Sequence, residues 1–461
     1  MQSRQVWRCA GLDAQRRESL VQIVASAALA ISILHSASAH AVPAFAVQTG
    51  QPCKQCHIGA FGPQLTPFGR QFKLNGYTLR AGDAFSVPLS AMAVASYVHT
   101  QKDQPEPPAD DFRTNDNTTL DEASIFLAGG LGQHFGGFAQ VTYSGVDRAW
   151  TWDNLDLRAV DSTNLFGHDV VLGLTVNNNP TIQDVWATLP GWGFPFTDSD
   201  LMPGPDAATL VSDALAQNVI GESAYAWWDD RLYTEVGLYE SPGADFLKRV
   251  GVDPADTSEI ENAAPYLRLA WQEDLGEQNF QFGAFGLFAN LFPGRDHSTG
   301  KTDHFSDLGL DASYQYTGSG KNIFTVNGRY IHESQDLAAT QALGDALNRD
   351  LNLNEMNFNA SYYYENTVGF TAGAFRIAGD RDALLFGDSR TFSPDSSGFI
   401  FQADVTPFGG DDPPLGKRIN LRLGVQYVLF TEFNGASSNF DGLGHNASDN
   451  NTLRLFVWAA F

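Results

Sequence analysis

Asp307-Leu308-Gly309-Leu310-Asp311-Ala312-Ser313-Tyr314-Gln315-Tyr316 is the run that decides the fold. Apolar and polar residues alternate, so an extended strand puts Leu308, Leu310, Ala312, Tyr314 and Tyr316 on one face and the polar set on the other. The pattern recurs. Met356, Phe358, Ala360, Tyr362 and Tyr364 interleave with Glu355, Asn357, Asn359 and Ser361. Ile419, Leu421, Leu423, Val425, Tyr427 and Leu429 interleave with Asn420, Arg422, Gly424 and Gln426. A soluble sandwich alternates in the same way, so the connections must decide between sandwich and closed barrel.

They alternate in length. From about Val87 onward there are about 16 strand candidates. Long polar connections fall near 100–121, 178–218, 240–262, 291–304, 333–352, 379–396 and 432–450, with one short exception near 147–152. Between them lie brief turns such as Gly132-Gln133-His134, Asp229-Asp230, Thr317 to Gly320 and Asn366-Thr367. An even strand number with short inner turns and long outer loops is the outer-membrane arrangement. The chain also ends in Leu453-Arg454-Leu455-Phe456-Val457-Trp458-Ala459-Ala460-Phe461, which resembles the signal by which bacterial outer-membrane barrels are recognised for insertion. The expected fold is therefore all-β, an antiparallel barrel of about 16 strands over residues 86–461, with lipid on one face and a wet lumen on the other. The connection 178–218, third among the outer loops when the short one near 147–152 is counted, carries Trp186, Trp192, Phe194, Phe196 and a candidate helical turn from Thr209 to Gln217. It either folds into the lumen, as in general porins, or forms an external lid.

The 461 residues include 28 basic and 53 acidic side chains, a net charge of -25. That excludes nucleic acid as a partner, because phosphate binding needs a basic face. Near the N-terminus, Arg16 and Arg17 precede an apolar stretch from Leu20 to Leu34, then A-x-A patterns at Ala37-Ser38-Ala39 and Ala39-His40-Ala41. This reads as an export signal over residues 1–41, too short for a comfortable membrane span. Of the 3 cysteines, Cys9 leaves with that segment and only Cys53 and Cys56 remain.

These two stand in Cys53-Lys54-Gln55-Cys56-His57, the attachment pattern of c-type haem. Two thiols at this spacing form thioethers to both vinyl groups, and His57 follows as proximal ligand to the iron. A thioredoxin-like pair needs a βαβ context and a zinc half-site needs a second pair of ligands; neither is present. In the surrounding module, residues 42–85, Thr66 is expected to cap a helix with Pro67 at its first position and Gly76 just past its end. Phe68, Phe72 and Leu74 are expected to wall the porphyrin. Roughly 40 residues cannot be stable alone, so the module must fold against the barrel as a plug. Between Ile58 and Leu89 there is no His or Met, so a distal ligand would come from His40 or from the barrel. Met92 shares a register with Ser90 and Ser96 that suggests the lumen; Met202 and His99 stand behind it. Met356 lies in the lipid-facing register, His134 and His168 at inner turns, and His297, His304 and His445 in outer loops.

Both ends of the chain resemble the fused cytochrome–porins, best known from iron-oxidising bacteria. That family's lead-in reads A-x-P-x-F-A-R-[QK]-[TY], and Ala41-Val42-Pro43-Ala44-Phe45-Ala46-Val47-Gln48-Thr49 is similar to it. Phe68-Gly69-Arg70, Asn75-Gly76-Tyr77 and the run Asn446-Ala447-Ser448-Asp449-Asn450-Asn451-Thr452 also match relatives. The resemblance implies one covalent haem c on Cys53, Cys56 and His57. It further implies electrons moved across the outer membrane between an extracellular partner, such as ferrous iron, and a periplasmic carrier, such as a soluble cytochrome. The motif's arginine is Val47 here, a departure that bears on the ferrous-iron role and not on haem attachment.

Three functions stay open at this point: an electron carrier, a porin whose haem-bearing plug gates or senses a solute, and a haem enzyme acting on a small oxidant. Coordination separates them, because electron-transfer haems usually have two protein ligands and catalytic or sensing haems keep one side open.

Overall fold

The computed structural model describes residues 44–82, 88–189, 197–410 and 419–461. The expected export signal, His40, Trp192, Phe194, Phe196 and the expected boundary at 85–86 lie outside the described residues.

Among the described residues, seventeen strands form one sheet. They are β1 (Leu89–Thr100), β2 (Asn117–Leu131), β3 (Phe135–Ser144), β4 (Ala149–Leu165), β5 (His168–Asn177), β6 (Ile220–Trp228), β7 (Leu232–Glu240), β8 (Glu259–Ile260), β9 (Ala264–Leu275), β10 (Gln278–Phe292), β11 (Asp303–Tyr316), β12 (Asn322–Asp336), β13 (Asp350–Tyr364), β14 (Val368–Gly379), β15 (Ser396–Val405), β16 (Asn420–Glu432) and β17 (Thr452–Ala460). Setting aside the two-residue β8, sixteen staves pair antiparallel with their neighbours. The last returns to the first, with Met92 opposite Ala460 and Thr100 opposite Thr452. Closure leaves no unpaired edge, the condition for a sheet to cross a bilayer.

The alternation read from the sequence sets the faces. Leu308, Leu310, Met356, Phe358, Leu423 and Val425 are exposed on the outside, while Asp307, Asp311, Gln315, Glu355, Ser361, Arg422 and Gln426 are buried inside. An apolar outer face on a closed barrel makes this an outer-membrane protein that crosses with strands. The inner turns that are fully described are short as expected; the connection between β15 and β16, 406–419, lies partly outside the described residues.

The lumen departs from expectation. It is packed rather than wet, because two segments fill it. One is the described part of the 178–218 connection, residues 178–189 and 197–218, which runs inward and is not an external lid. Within it, the Leu210 and Val211 N–H groups of a helical turn donate to Glu333 (2.6 Å) and Asp307 (2.7 Å), and the Thr209 hydroxyl donates to Glu355 (2.9 Å). Asp184 meets Arg268 at 3.1 Å, and the Thr188 hydroxyl donates to Asp311 at 2.5 Å. These inward-facing carboxylates and Arg268 of the wall thus find partners on this segment, as buried polar groups usually do.

The other segment is the N-terminal plug, with helices α1 (Ala44–Thr49), α2 (Cys53–Cys56) and α3 (Pro67–Leu74). The Thr66 hydroxyl caps α3 by accepting from Gly69 N–H at 3.1 Å, Pro67 opens the helix and Asn75 closes it. Gly76 follows in the left-handed region (φ +66°), where an added Cβ would press on Val160 of β4.

Candidate cofactor site

Pro52 is extended and leads into the single turn of α2, which His57 N–H closes on Cys53 carbonyl at 2.9 Å. The chain then loops out and back. His57 pairs with Leu65, Ile58 N–H donates to Gln64 (3.0 Å) and Thr66 N–H donates to Cys56 carbonyl (2.9 Å). The N-terminal end of α3 lies directly against this turn, because Gly69 has no Cβ to strike the Cys56 carbonyl. The Cys-x-x-Cys-His run is therefore braced from both sides before any ligand is considered.

Cys53, Cys56 and His57 open onto one cavity of about 260 Å³. Its wall includes the aromatic rings of Phe45, Phe61, Phe72, Phe126, Phe138 and Trp458. Of the three residues expected to wall a porphyrin, only Phe72 does so. Leu74 turns away to pack with Tyr225, Trp227 and Tyr233, and Phe68 does not line the cavity. The replacements come from the plug's own loop and from β2, β3 and β17, which sequence reasoning missed. Trp458 was within reach, since it shares inward parity with Arg454 and Phe456 on β17.

The plug is fixed to the wall by buried polar ties. Arg70, 1% exposed, donates to Gln272 (3.1 Å), Gln315 (3.0 Å) and Asn279 (2.6 Å) on β9, β11 and β10. Arg422 donates to the carbonyls of Gly59 (2.8 Å) and Phe61 (2.6 Å) from β16. The Gln48 amide donates to Tyr77 carbonyl (2.6 Å) and accepts from Gly130 N–H (2.7 Å). The Tyr77 hydroxyl donates to Asp156 at 2.6 Å, and Lys73 reaches the same carboxylate at 3.4 Å. Phe45 stacks on Tyr77 with ring centroids 5.0 Å apart. The lead-in, Phe-Gly-Arg and Asn-Gly-Tyr motifs are thus docking residues.

Desolvation dominates the electrostatics of the three side chains, which are half-buried by surface exposure. Burial pushes the Cys56 thiol up to about 12, with the nearby Cys53 adding to the rise, and burial raises Cys53 as well. Neither is a thiolate at neutral pH, unlike the activated pair of a thioredoxin-type site. Both thiols are free, with no disulfide between them. Burial pulls His57 down to about 4, the Gly62 backbone opposing and the Arg422 charge assisting, so its ring is neutral and keeps a lone pair. His57 Nδ1 is buried with no hydrogen-bond partner. Two free thiols, a neutral imidazole with an unpartnered nitrogen and an aromatic wall fit the donor set of a covalent haem.

The distal candidates sort cleanly. Met92 lines the same cavity, 7% exposed, on the inner face of β1 as its register implied. His99 does not reach it: at the outer end of β1, on the alternate face, it contacts Asp116 at 2.9 Å. Met202 packs instead against Phe433 and Val98 under the outer loops. Met356 is exposed on the lipid face, and His134 and His168 sit at inner turns.

The barrel's own strand pairing makes this a porin-like outer-membrane protein, and solved structures share that architecture loosely. The outer-membrane channel DcaP of Acinetobacter baumannii is 12% identical, with 84% of this chain and 99% of that chain covered at a TM-score of 0.46. An anion-selective porin from Comamonas acidovorans is 12% identical over 82% and 99% at 0.44, and OmpT of Vibrio cholerae is 10% identical over 82% and 98% at 0.42. No protein-family model matches the chain, and no curated protein matches it.

Proposed function

We propose that this protein carries electrons across the outer membrane through one haem c held by Cys53, Cys56 and His57 inside the barrel. The observation that carries the proposal is the convergence of these three side chains on one apolar cavity within a closed, filled barrel. Bound there, the haem supplies one-electron chemistry between its ferrous and ferric states.

The chain's residues do the rest. The two thiols tether the group and His57 offers its nitrogen to the metal. The aromatic wall excludes water, and Arg70 and Arg422 hold the plug so that the site cannot drift. The cavity lies toward the end that carries the short turns and Phe461, the periplasmic side of such barrels. A periplasmic carrier such as a soluble cytochrome approaches there.

At the opposite end, Glu106, Asp200, Asp388 and Asp441 line a recess among the outer loops. That acidity, on a chain of net charge -25, concentrates cations at the rim and suits a small cationic reductant such as ferrous iron as extracellular donor. The packed lumen weighs against the solute-porin alternative. Coordination weighs between an electron carrier and an enzyme for a small oxidant.

The test uses the full chain in liposomes, with an electron acceptor trapped inside and a membrane-impermeant reductant outside. Reduction of the haem and then of the trapped acceptor is expected. A haem reduced with no transfer inward, or an acceptor reduced equally by a Cys53→Ser, Cys56→Ser double variant, would overturn the proposal.

A further inference from the structure

We infer that Met92 is the distal axial ligand of this haem, an inference that rests on the reading above and deepens it. Among the described residues lining the cavity, Met92 and His57 are the only thioether and imidazole. The other strong donors there are occupied. Lys73 is held by Asp156 at 3.4 Å and by the Ile182 carbonyl, and the Tyr77 hydroxyl is spent on Asp156. The plug itself offers nothing further, since no His or Met lies between Ile58 and Leu89.

Met92 also sits where a ligand should be mounted. It is the fourth residue of β1, a central stave paired on both sides, to Ala460 of β17 and Ser124 of β2. A donor on a doubly paired strand is placed more rigidly than one on a loop. Further along the inner face of β1 the residues are Val94, Ser96 and Val98, all short or β-branched. The long, unbranched side chain occurs only at the level of the cavity, where it packs with Phe61, Trp458 and Cys53. A thioether is a soft ligand that suits haem iron and raises its potential. Two protein ligands also mark an electron-transfer haem rather than a catalytic one.

The experiment compares the full-length holoprotein in detergent with Met92→Leu, a volume-conserving change that the fold tolerates, and with Met92→His. Wild type is expected to be low-spin with a sulfur-to-iron charge-transfer band in the oxidised state. Met92→Leu is expected to lose that band, turn largely high-spin and fall in potential, while covalent haem in the denatured protein stays at the wild-type level. Met92→His is expected to return to low-spin without the band. A high-spin wild type, or a Met92→Leu protein that keeps the low-spin spectrum and the band, would overturn the assignment while leaving the haem reading intact. Absence of covalent haem from denatured wild type would instead remove the haem reading itself, and with it the ligand.

Discussion

Gly69 is the smallest residue on which the site depends. The turn bearing Cys53 and Cys56 packs so closely on α3 that a Cβ at this position would meet the Cys56 carbonyl. Backbone cannot step aside as a flexible side chain can. Gly69→Ala is therefore expected to cost ~1–3 kcal/mol and to lower the fraction of chains that keep covalent haem, read from the absorbance of denatured protein. Arg70 works over a longer range. Arg70→Met leaves the side-chain oxygens of Gln272, Gln315 and Asn279 without this donor, at about 1–3 kcal/mol for each buried group left unsatisfied. The expected result is protease cleavage within 58–82 in a barrel that still resists heat in detergent; an uncut plug would contradict it. The Cys-x-x-Cys-His run was legible as a pattern because its residues are contiguous, and its three side chains do line one cavity. Arg70 was not legible as an anchor, since its partner Gln272 is 202 residues away. Phe68 and Leu74 were misread because a helix pattern does not say which face meets the cavity.

At the scale of elements, the staves were legible and the loops were not. A period of two fixes which side chains face lipid, and closure follows from the even strand count and the alternating connections. The direction of a loop depends on partners scattered over many strands, as the 178–218 connection shows with its ties to Asp307, Glu333 and Glu355 on three of them. The outer loops have their own tie at Asp382. Its carboxylate accepts from Leu347 (2.8 Å) and Asn348 (2.7 Å) across the gap and from Leu384 (2.9 Å) and Leu385 (3.2 Å) beside it. Burial pushes this carboxyl up, but the four backbone donors outweigh it and hold it below the usual range. A depressed folded value means the tie is fully present above the unfolded value of about 3.9 and is lost as pH falls through the folded one. Cleavage between 344 and 392 by an acid protease is expected to rise below about pH 4. Asp382→Asn should bring the same susceptibility to neutral pH; equal resistance in both proteins would sink the account of this tie.

At the scale of the whole molecule, the barrel is a sealed wall around a plug and an inward loop. Planar-bilayer recordings are expected to show little conductance for the intact protein and a several-fold rise when 178–218 is shortened to a tight turn. Open-porin conductance in wild type would mean that the loop does not fill the lumen in the membrane. The most direct test of the central claim is the haem content of the full-length protein, expressed with the cell's cytochrome c maturation machinery and measured as the pyridine complex after denaturation and acid–acetone extraction. One haem per chain that resists extraction, lost when Cys53 and Cys56 are both changed to Ser, is the predicted result. A chain with no haem, or one whose haem extracts freely, would contradict it and leave a plugged barrel with two idle thiols.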